Sequence, residues 1–474
     1  MDAVLFFVEK LNDNVIWGMP MVCLMVGTGL FLHCVTGGVI FTKFPIVMRY
    51  TAKTLLQKSD RSRLEEGEIT PFQAVCTALA ATVGTGNIVG VALAIATGGP
   101  GAVFWLWISA LVGMVIKYCE VTLSMAYRTA NEKGEIVGGP MYYITKGMGK
   151  KWLAILFAVF GSIASLGIGA SVQANALAGG IHATFGVSTW ITGAVAAVTG
   201  ALIFIGGIKR IAGVTELLVP IMSILYITGA IAVLVINAGE IPAALGLIIK
   251  SAFTETAAAG GFLGASAMYA CRIGMARGVF THEAGMGSAP IAHASASNDH
   301  PARQGLWGAF EVFFDSIVMC TVTALVILTS GLWFEPALNR DARVMCAAAF
   351  ENAFIGGQYV VTVGMCLFAF ATIVAWYYYG EKCVEYLSKG NGRVKQGYQI
   401  VYTAMIYAGC VASLDAVWEF ADLFNGLMAV PNLAALIILS PVIKRLSEDF
   451  FKNPDTKRPE GTDFSHLICD RAKK

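Results

Sequence analysis

The sequence predicts an all-α polytopic membrane protein with eleven transmembrane helices. Of its 474 residues, 56% are hydrophobic and only 14% are charged, and the mean hydropathy is +0.67. Soluble globular domains are about one quarter charged, so this composition is typical of a chain that lies mostly in lipid. A second observation is a series of apolar runs long enough to cross a bilayer, which takes about 20 residues. The third is a glycine-rich break inside one of these runs, at residues 80–90.

The apolar runs that qualify as spans follow one another along nearly the whole chain. In order they are residues 15–35, 71–97, 101–127, 152–180, 188–208, 211–237, 260–293, 303–331, 356–388, 397–413 and 418–441. The first 14 residues carry Asp2, Glu9 and Asp13 against Lys10, which is the wrong charge for the start of a cleavable signal peptide. We therefore expect the first run to stay in the membrane.

The basic residues predict the orientation. If the N-terminus is outside, the cytoplasmic segments are residues 36–70, 128–151, 209–210, 277–303, 380–395 and 441–474. They contain 27 of the 33 Lys and Arg residues. The positive-inside rule then predicts a multi-pass protein of the plasma (inner) membrane with an external N-terminus and a cytoplasmic C-terminus. A nucleic-acid-binding patch is a weak alternative, because each basic cluster adjoins a span and also contains acidic residues.

Removing the first span leaves ten, which divide into two groups of five. The predicted units are 1–70 (an extra helix and an amphipathic cytoplasmic connection), 71–237 (first repeat), 238–441 (second repeat) and 442–474 (a cytoplasmic tail, polar and expected to be disordered from Lys452). The first span of each group is interrupted, at residues 84–86 in one and at residues 274–278 and 285–290 in the other. Corresponding interruptions indicate an inverted repeat around a central site.

The break at residues 80–90 has two interpretations. Gly86 and Gly90 form a G-x-x-x-G pair, which close helix packing alone would explain. Packing does not require the polar residues Thr85 and Asn87, however. A broken helix frees the N–H groups of Thr85, Gly86 and Asn87, which suit a carboxylate, and carbonyls on the other side of the break, which suit a cation. An amino acid zwitterion with Na⁺ matches this arrangement of partial charges.

Two further polar features lie in the spans. Thr372 and Trp376 are one helical turn apart and share a face, so they suit an ion ligand and a pocket wall, with an interfacial aromatic belt as the alternative. Gln173 and Asn175 lie on different faces of one span. At most one of them is expected to face a given pocket, and we favour Gln173.

Several ionisable residues lie within or at the ends of the spans: Lys117, Glu120, Glu216, Arg272, Arg277, Glu311 and Asp315. Such residues are functional candidates by default. We expect Lys117 and Glu120 to form a local ion pair. For the acidic residues we favour structural ion pairs with the arginines, with gate elements or proton carriers as the alternative.

Several motifs together resemble the alanine or glycine:cation symporter family. They are Gly84-Thr-Gly-Asn-Ile-Val-Gly-Val91, Gly98-Gly-Pro-Gly-Ala-Val-Phe-Trp105, Gly138-Gly-Pro-Met-Tyr-Tyr143, Ala276-Arg-Gly-Val-Phe280, Glu283-Ala-Gly-Met-Gly-Ser-Ala-Pro290 and Trp376-Tyr-Tyr-Tyr-Gly-Glu381. They extend from the second span through the ninth. The resemblance implies a LeuT-type core of five plus five inverted helices preceded by one extra helix.

The resemblance also implies Na⁺-coupled uptake of alanine or glycine, and it carries residue roles onto this chain. The implied substrate-binding residues are Thr85, Gly86, Asn87, Gln173, Gly278, Phe280, Thr372 and Trp376. The implied sodium ligands are Ala80, Val83, Ala369 and Thr372. Na⁺ is the expected cofactor, and the amino acid, the ion and the bilayer are the expected partners.

The function predicted from these observations is secondary active transport by alternating access. A proton-coupled permease of the same fold, using Glu216, Glu311 or Asp315, and a non-transporting amino acid sensor are the alternatives. An intramembrane enzyme is disfavoured, because no convincing nucleophile–base set or pair of metal ligands lies in the spans. The eleven cysteines contain no C-x-x-C pair and indicate neither a disulfide framework nor a zinc site.

Overall fold

The computed structural model describes residues 2–53, 68–254, 267–335, 342–412, 414–456, 458, 462 and 464–468. Nearly all of them are helical. The helices are α1 (Asp2–Leu11), α2 (Met19–Val35), α3 (Val39–Thr42), α4 (Phe44–Tyr50), α5 (Pro71–Thr82), α6 (Val89–Gly98), α7 (Gly101–Ala126), α8 (Pro140–Tyr143), α9 (Lys151–Ala164), α10 (Gln173–Phe185), α11 (Thr189–Phe204), α12 (Gly207–Ile236), α13 (Ile241–Phe253), α14 (Ala267–His282), α15 (Ala289–His293), α16 (Pro301–Val312), α17 (Thr321–Thr329), α18 (Ala342–Ala353), α19 (Gly357–Ser388), α20 (Gly392–Val411), α21 (Leu414–Ile438) and α22 (Ser440–Lys452).

Shorter elements connect some of these helices. Two strands, β1 (Thr129–Ala130) and β2 (Ile136–Val137), pair antiparallel. Short 3₁₀ helices cover Thr85–Asn87 and Ala238–Glu240, and π-helical turns cover Asn12–Ile16, Ile144–Met148, Ser165–Val172 and Phe313–Cys320. Wide turns of this type are frequent at functional sites. One of them ends directly before Gln173.

Six helical segments within the described residues are long and apolar enough to cross a membrane. They are Gly101–Ala126, Lys151–Phe185, Gly207–Ile236, Pro301–Thr329, Gly357–Ser388 and Ala421–Ile438. The bent pair α5 and α6 makes a seventh if it is one span, and Met19–Val35 and Thr189–Phe204 are shorter apolar helices. Every predicted run overlaps a helix or a helix pair, while the count of eleven spans and their five-plus-five arrangement stay predictions.

The predicted break in the second span is confirmed. Helix α5 ends at Thr82, α6 begins at Val89, and the two axes are bent by 55°. Helix α5 is also well defined at its start, where Thr70 Oγ1 accepts the N–H of Gln73 at 3.1 Å and Gln73 Oε1 accepts the N–H of Thr70 at 3.0 Å. This reciprocal capping fixes the beginning of the half-helix that leads into the break.

In the seventh span, one predicted interruption is wrong and the other is confirmed. Helix α14 runs unbroken through residues 274–278, and the chain leaves helical geometry only at residues 283–288. The glycines in the unbroken part serve close packing. A Cβ on Gly274 would lie 2.2 Å from the carbonyl oxygen of Ala102, and one on Gly278 would lie 2.8 Å from Ser109 Cβ. They let α14 lie directly on α7.

The start of the first broken span and the end of the second are held together by main-chain bonds. The N–H of Ile69 donates to the carbonyl of Ser295, and the N–H of Ser297 donates to the carbonyl of Ile69, both at 2.9 Å. Arg128 adds a bond to the carbonyl of Ala296 at 2.7 Å. The segment that precedes α5 is therefore fixed to the segment that follows α15.

The start of the C-terminal tail is ordered, so the expected disorder from Lys452 is wrong for residues 453–456. Asp455 lies 3.2 Å from Arg49 and accepts a hydrogen bond from Tyr50. Arg303 donates to the carbonyl of Pro454 at 3.1 Å. A polar sequence became ordered here because α4 and α16 present complementary partners.

Replacing Gly274 by alanine is expected to lower the melting temperature of the detergent-solubilised protein, because the added Cβ would meet the Ala102 carbonyl. Overpacking of this kind costs about 1–3 kcal/mol. Gly213→Ala in α12 is the matched control, since no heavy atom lies within 4 Å of its added Cβ. Alanine also favours a helix over glycine by about 1 kcal/mol. Equal melting temperatures for the two variants would contradict the close packing of α14 on α7.

Candidate functional site

Residues on the two sides of the first break contact different neighbours. On the side of α6, the main-chain N–H and the hydroxyl of Thr85 both donate to Gln173 Oε1, at 3.2 and 2.9 Å. The N–H of Gly84 donates to Asn87 Oδ1 at 2.9 Å. Two side-chain amide oxygens therefore satisfy N–H groups that the broken helix leaves free. Asn175, as expected, points elsewhere and donates to the carbonyls of Gly409 and Ala412.

Not all three N–H groups expected to be free are free. The N–H of Asn87 is bonded to the carbonyl of Gly84 at 3.3 Å, because a short 3₁₀ turn replaces the open chain expected there. The side chain of Asn87 makes the connection to a second helical segment instead. Its Nδ2 donates to Asp315 Oδ1 at 2.6 Å, and Ser316 Oγ donates to Asp315 Oδ2 at 2.7 Å. The expected pairing of Asp315 with an arginine is therefore wrong.

On the side of α5, two of the predicted sodium ligands meet. Thr372 Oγ1 donates to the carbonyl oxygen of Ala80 at 2.7 Å and to that of Phe368 at 3.0 Å. A Cβ on Gly84 would lie 2.6 Å from Thr372 Oγ1, which shows how closely α19 approaches the break. Val83 and Ala369 are fully buried. Their part in a sodium site stays a prediction.

The predicted pocket residues near α14 divide into two groups. A Cβ on Gly86 would lie 2.9 Å from Thr281 Cγ2 and 3.4 Å from Phe280 Cδ1, so Phe280 is next to the break. Phe280 stacks on Trp418 with ring centroids 4.6 Å apart. Gly278, in contrast, packs against Ser109 of α7, and its part in lining a pocket stays a prediction.

Trp376 is tied to the second break. Its Nε1 donates to Glu283 Oε1 at 2.7 Å, and Ser288 Oγ lies 2.5 Å from Glu283 Oε2. Glu283 has a left-handed backbone with φ of 54°, which is uncommon for a residue other than glycine. Such conformations persist where the surroundings hold them and cluster at functional sites. Glu283 thus links the predicted pocket wall to the turn before α15.

An ion pair beside Phe280 and Trp418 lines a cavity. Arg277 and Asp422 form a salt bridge in which both side chains are almost buried, and the Arg277 guanidinium lies over the rings of Phe280 and Trp418. The cavity beside this pair has a volume of about 440 Å³. Its lining comes from the N-terminal segment, α6, α14 and α21: Glu9, Asn12, Trp17, Leu93, Thr97, Tyr269, Arg272, Ile273, Ala276, Arg277, Trp418, Glu419 and Asp422.

The position of Arg277 corrects one assignment. The predicted topology places it in the cytoplasmic segment 277–303, but it lies inside α14 and shares this cavity with Glu9, which the same topology places outside. The remaining basic segments are unaffected.

The expected local pair of Lys117 and Glu120 is also wrong. Lys117 Nζ lies 3.3 Å from Glu311 Oε1 on α16, and both side chains are fully buried. Glu120 instead accepts the N–H of Gly285 at 2.9 Å and Asn432 Nδ2 at 2.5 Å. The second break frees the N–H of Gly285, which binds the Glu120 carboxylate in place of Lys117. This contact joins positions far apart in sequence, so the spacing of Lys117 and Glu120 does not predict it.

The residues around the first break are closed off from solvent. Thr85 and Asn87 are fully buried, and Gln173, Thr372 and Trp376 are at most 2% exposed. The structure therefore brings together main-chain and side-chain groups of both signs in a closed interior. Access to them requires movement of the helices. Among the described residues, no group of three or more His, Cys, Asp or Glu side chains is placed to hold a metal ion.

Three residues were not assigned to the site from the sequence, although they contact it. Glu283 belongs to one of the family motifs, but the sequence does not indicate its partner, because its bond to Trp376 joins positions 93 residues apart. Trp418 and Asp422 lie one turn apart at the start of the last span. An acidic residue within an apolar run was the one signal available for Asp422.

Comparisons with known proteins point to one family. The sequence profile described as the sodium:alanine symporter family matches residues 1–463. The sodium/alanine symporter AgcS of Methanococcus maripaludis is 43% identical over 444 residues, which cover 92% of this chain and 96% of that protein. The probable sodium/glutamine symporter GlnT of Bacillus subtilis is 37% identical, covering 95% and 91%.

Among solved structures, the crystal structure of MhsT in complex with L-phenylalanine superposes with a TM-score of 0.57. The match has 14% sequence identity and covers 82% of this chain and 99% of that one. At this identity the likeness shows the fold alone, which is LeuT-like. The family profile and the relatives together identify a multi-pass integral membrane protein that is a transporter and not an enzyme. The chain belongs to the sodium:alanine symporter family.

Proposed function

We propose that this protein couples Na⁺ entry to the uptake of a small neutral amino acid, alanine or glycine, by alternating access. The N-terminus would face outside and the C-terminus the cytoplasm. The observation that carries the proposal is the buried break between α5 and α6. Its α6 side meets Gln173 through N–H and hydroxyl donors, and its α5 side meets Thr372 through a carbonyl.

The amide of Gln173 supports a carboxylate site. Its Oε1 accepts two donors from one residue, Thr85, which is the bonding that a substrate carboxylate oxygen would take. The positive end of the α6 dipole favours a negative group at the same place. We infer that the substrate carboxylate displaces Gln173 from Thr85, with Gly86 and Asn87 beside it.

The walls of the site favour a small side chain. A methyl group on Gly86 would lie 2.9 Å from Thr281 Cγ2 and 3.4 Å from Phe280 Cδ1, and Trp376 is fixed by its bond to Glu283. Pockets distinguish one methylene group by about 1–3 kcal/mol when the difference is lost contact alone. Rejection of leucine would therefore depend on a steric clash with these fixed rings.

The sodium ion would bind at the other side of the break. Thr372 Oγ1 and the Ala80 carbonyl already lie 2.7 Å apart, and an ion would replace the hydrogen bond between them. Carbonyls of Val83 and Ala369 would complete the oxygen ligands. Because each ligand steadies one end of the same broken helix, Na⁺ would strengthen amino acid binding, and by linkage the amino acid would strengthen Na⁺ binding.

Two closures would alternate during transport. On one side, the Arg277–Asp422 pair and the Phe280–Trp418 stack separate the break from the 440 Å³ cavity. On the other, the bonds between Ile69 and the segment after α15 hold the broken helices together. Rocking of one helix group against the other would open one closure at a time.

Uptake of labelled alanine and glycine into proteoliposomes tests the function directly. A sodium gradient should drive accumulation, and an inside-negative potential should increase it, since about 100 mV supplies about 2.3 kcal/mol per charge, roughly fifty-fold. Replacing Na⁺ by choline at several pH values distinguishes the proton-coupled permease. That alternative is favoured by the buried Glu311 and Asp315, whereas Glu216 is only partly buried. Bound alanine without flux would support a sensor.

Thr372→Ala is expected to raise the Na⁺ concentration for half-maximal uptake by about ten-fold or more. It removes one of the oxygen atoms that would bind the sodium ion, and polar contacts to charged groups are worth about 1.5–3 kcal/mol. Thr372→Ser keeps the hydroxyl and serves as the control, with a sodium dependence near that of the parent. An unchanged sodium dependence in Thr372→Ala would remove this residue from the ion site.

Gln173→Glu is expected to weaken alanine binding by at least about ten-fold, measured by titration calorimetry in saturating Na⁺. A fixed carboxylate would occupy the donors of Thr85 and repel that of the substrate, and buried like charges disfavour each other strongly. Gln173→Leu has a similar size but leaves the donors available, so it should bind alanine more tightly than Gln173→Glu. The opposite order would place the substrate carboxylate elsewhere.

Gly86→Ala is expected to abolish alanine-dependent thermal stabilisation, because its Cβ would meet Thr281 and Phe280 at the break. Gly90→Ala, one turn further along, is the matched control, since its Cβ would meet Thr281 Cγ2 only at 4.0 Å. Ligand at a hundred times its Kd stabilises a protein by about 2.7 kcal/mol, which a melting curve resolves. Full stabilisation of Gly86→Ala by alanine would refute the predicted position of the substrate.

A further inference from the structure

The buried charges in the described part of the chain do not balance. Two lysines and no arginine are buried there, Lys117 and Lys382. Four buried carboxyl groups have a cationic partner: Glu68 with Arg128, Glu311 with Lys117, Glu385 with Lys382 and Asp422 with Arg277. Three others are bonded to neutral donors instead: Glu120, Glu283 and Asp315. An ionised carboxylate in this position is strongly unfavourable unless it is paired or neutralised.

Two of these three carboxyl groups belong to the second break. Glu283 is the first residue after α14, and Glu120 holds the N–H of Gly285 two positions later. Asp315 is different, because it is bonded to Asn87 and so belongs to the proposed substrate and ion site. The unbalanced charge outside that site is therefore concentrated at the turn between α14 and α15.

The neighbouring histidines are bonded to groups other than Glu283 and Glu120. His282 Nδ1 accepts the N–H of Ala284 at 3.0 Å, so this nitrogen carries no proton. With Nδ1 accepting, the imidazole of His282 is neutral. His293 lies 2.8 Å from Gln304 Nε2 through Nδ1 and 3.2 Å from Glu311 Oε2 through Nε2.

The charged and titratable groups around Glu283 come from four elements. They are Lys117 and Glu120 from α7, His282 from α14, Glu311 from α16 and Tyr379 from α19. Lys117 acts electrostatically on Glu283 and Glu120, but its ion pair is with Glu311. The Tyr379 hydroxyl is buried and has no hydrogen-bond partner, and it acts electrostatically on both Glu283 and Glu311. A buried hydroxyl without a hydrogen-bond partner is unusual. It is an independent sign that the polar groups around Glu283 are not fully satisfied.

We propose that Glu283 is a proton-binding site and that it carries its proton in the closed conformation of the transporter. Ser288 Oγ lies 2.5 Å from Glu283 Oε2, and its hydroxyl can turn from donor to acceptor for a proton on that oxygen, while Oε1 goes on accepting the indole N–H of Trp376. Glu120 offers no such arrangement. Its Oε1 accepts two N–H donors, and its Oε2 has no partner to which a proton could be donated.

The bound proton would connect the second break to the pocket wall. A neutral Glu283 bridges Trp376 on α19 and Ser288 at the start of the inner half-helix. Loss of the proton would leave a buried negative charge at this bridge without a cationic partner, so the closed arrangement would weaken. This proposal rests on the proposed transport function, and it predicts that transport falls as pH rises through the ionisation of Glu283, by up to about ten-fold per pH unit for one proton.

Glu283→Gln tests the proposal, because a glutamine reproduces the neutral acid. Its amide oxygen can accept from Trp376 and its amide N–H can donate to Ser288. Sodium-driven alanine uptake is measured with the same pH on both sides of proteoliposomes, from neutral to alkaline values. We expect the parent to lose uptake on alkalinisation and Glu283→Gln to give a flat profile over the same range.

Glu311→Gln is the matched control, since the same substitution in the same cluster removes the partner of Lys117. A buried lysine without its ion partner is strongly destabilising, so this variant is expected to lose uptake at every pH. A second measurement does not depend on transport. The infrared spectrum of the purified parent protein should show the carbonyl stretch of a protonated carboxylic acid, and Glu283→Gln should lack it.

Two results would overturn the proposal. One is a pH profile of Glu283→Gln that falls as steeply as that of the parent. The other is a parent spectrum with no acid band that Glu283→Gln removes. Absence of sodium-driven uptake by the parent would refute the proposed function instead, and the infrared comparison would still decide the protonation of Glu283.

Discussion

The structure depends on one constraint, which is that main-chain N–H and carbonyl groups cannot be left without partners in the interior of a membrane. Two helices are broken there, at residues 83–88 and 283–288, and each break is surrounded by protein. At the first, amide oxygens of Gln173 and Asn87 accept the freed N–H groups, and the hydroxyl of Thr372 donates to a carbonyl. At the second, Glu120 accepts the N–H of Gly285. A ligand that takes over these bonds can bind without first creating unsatisfied groups.

The two breaks differ in how they are satisfied, and this difference suggests a division of roles. The first uses neutral amides and a hydroxyl, which can exchange with a carboxylate and a cation at little electrostatic expense. The second uses the carboxyl group of Glu120 on α7 and that of Glu283 in the break itself. Lys117, the nearby cation, is already paired with Glu311. Trp376 and Thr372 lie one turn apart on α19, and each contacts one break. A single helix face therefore connects the proposed ion site with the proton site.

Most of the helices and the first break could be predicted from the sequence, because they depend on residues that are close together in the chain. Apolar length defined the helices, and the run of Gly84, Thr85, Gly86 and Asn87 marked a real break. The charge of the loops led to an orientation that the structure does not decide. Failures occurred where the answer depended on distant residues. Gly274 and Gly278 look like a break, but they accommodate α7, and Lys117 pairs with a glutamate 194 positions away in sequence instead of one three positions away.

Distance in sequence also explains why Glu283 was recognisable as part of a motif but not as a functional residue. Ser288 is close to Glu283 in sequence, but its other partner, Trp376, is 93 positions away. Only packing shows that the carboxyl group lacks a cation and has an acceptor for a proton. The described residues include seven buried carboxyl groups. The number of protons bound to them affects the stability of the closed conformation. On the proposed assignments, the energy of each conformation would depend on pH as well as on sodium and substrate, because all three would act on the same pair of broken helices.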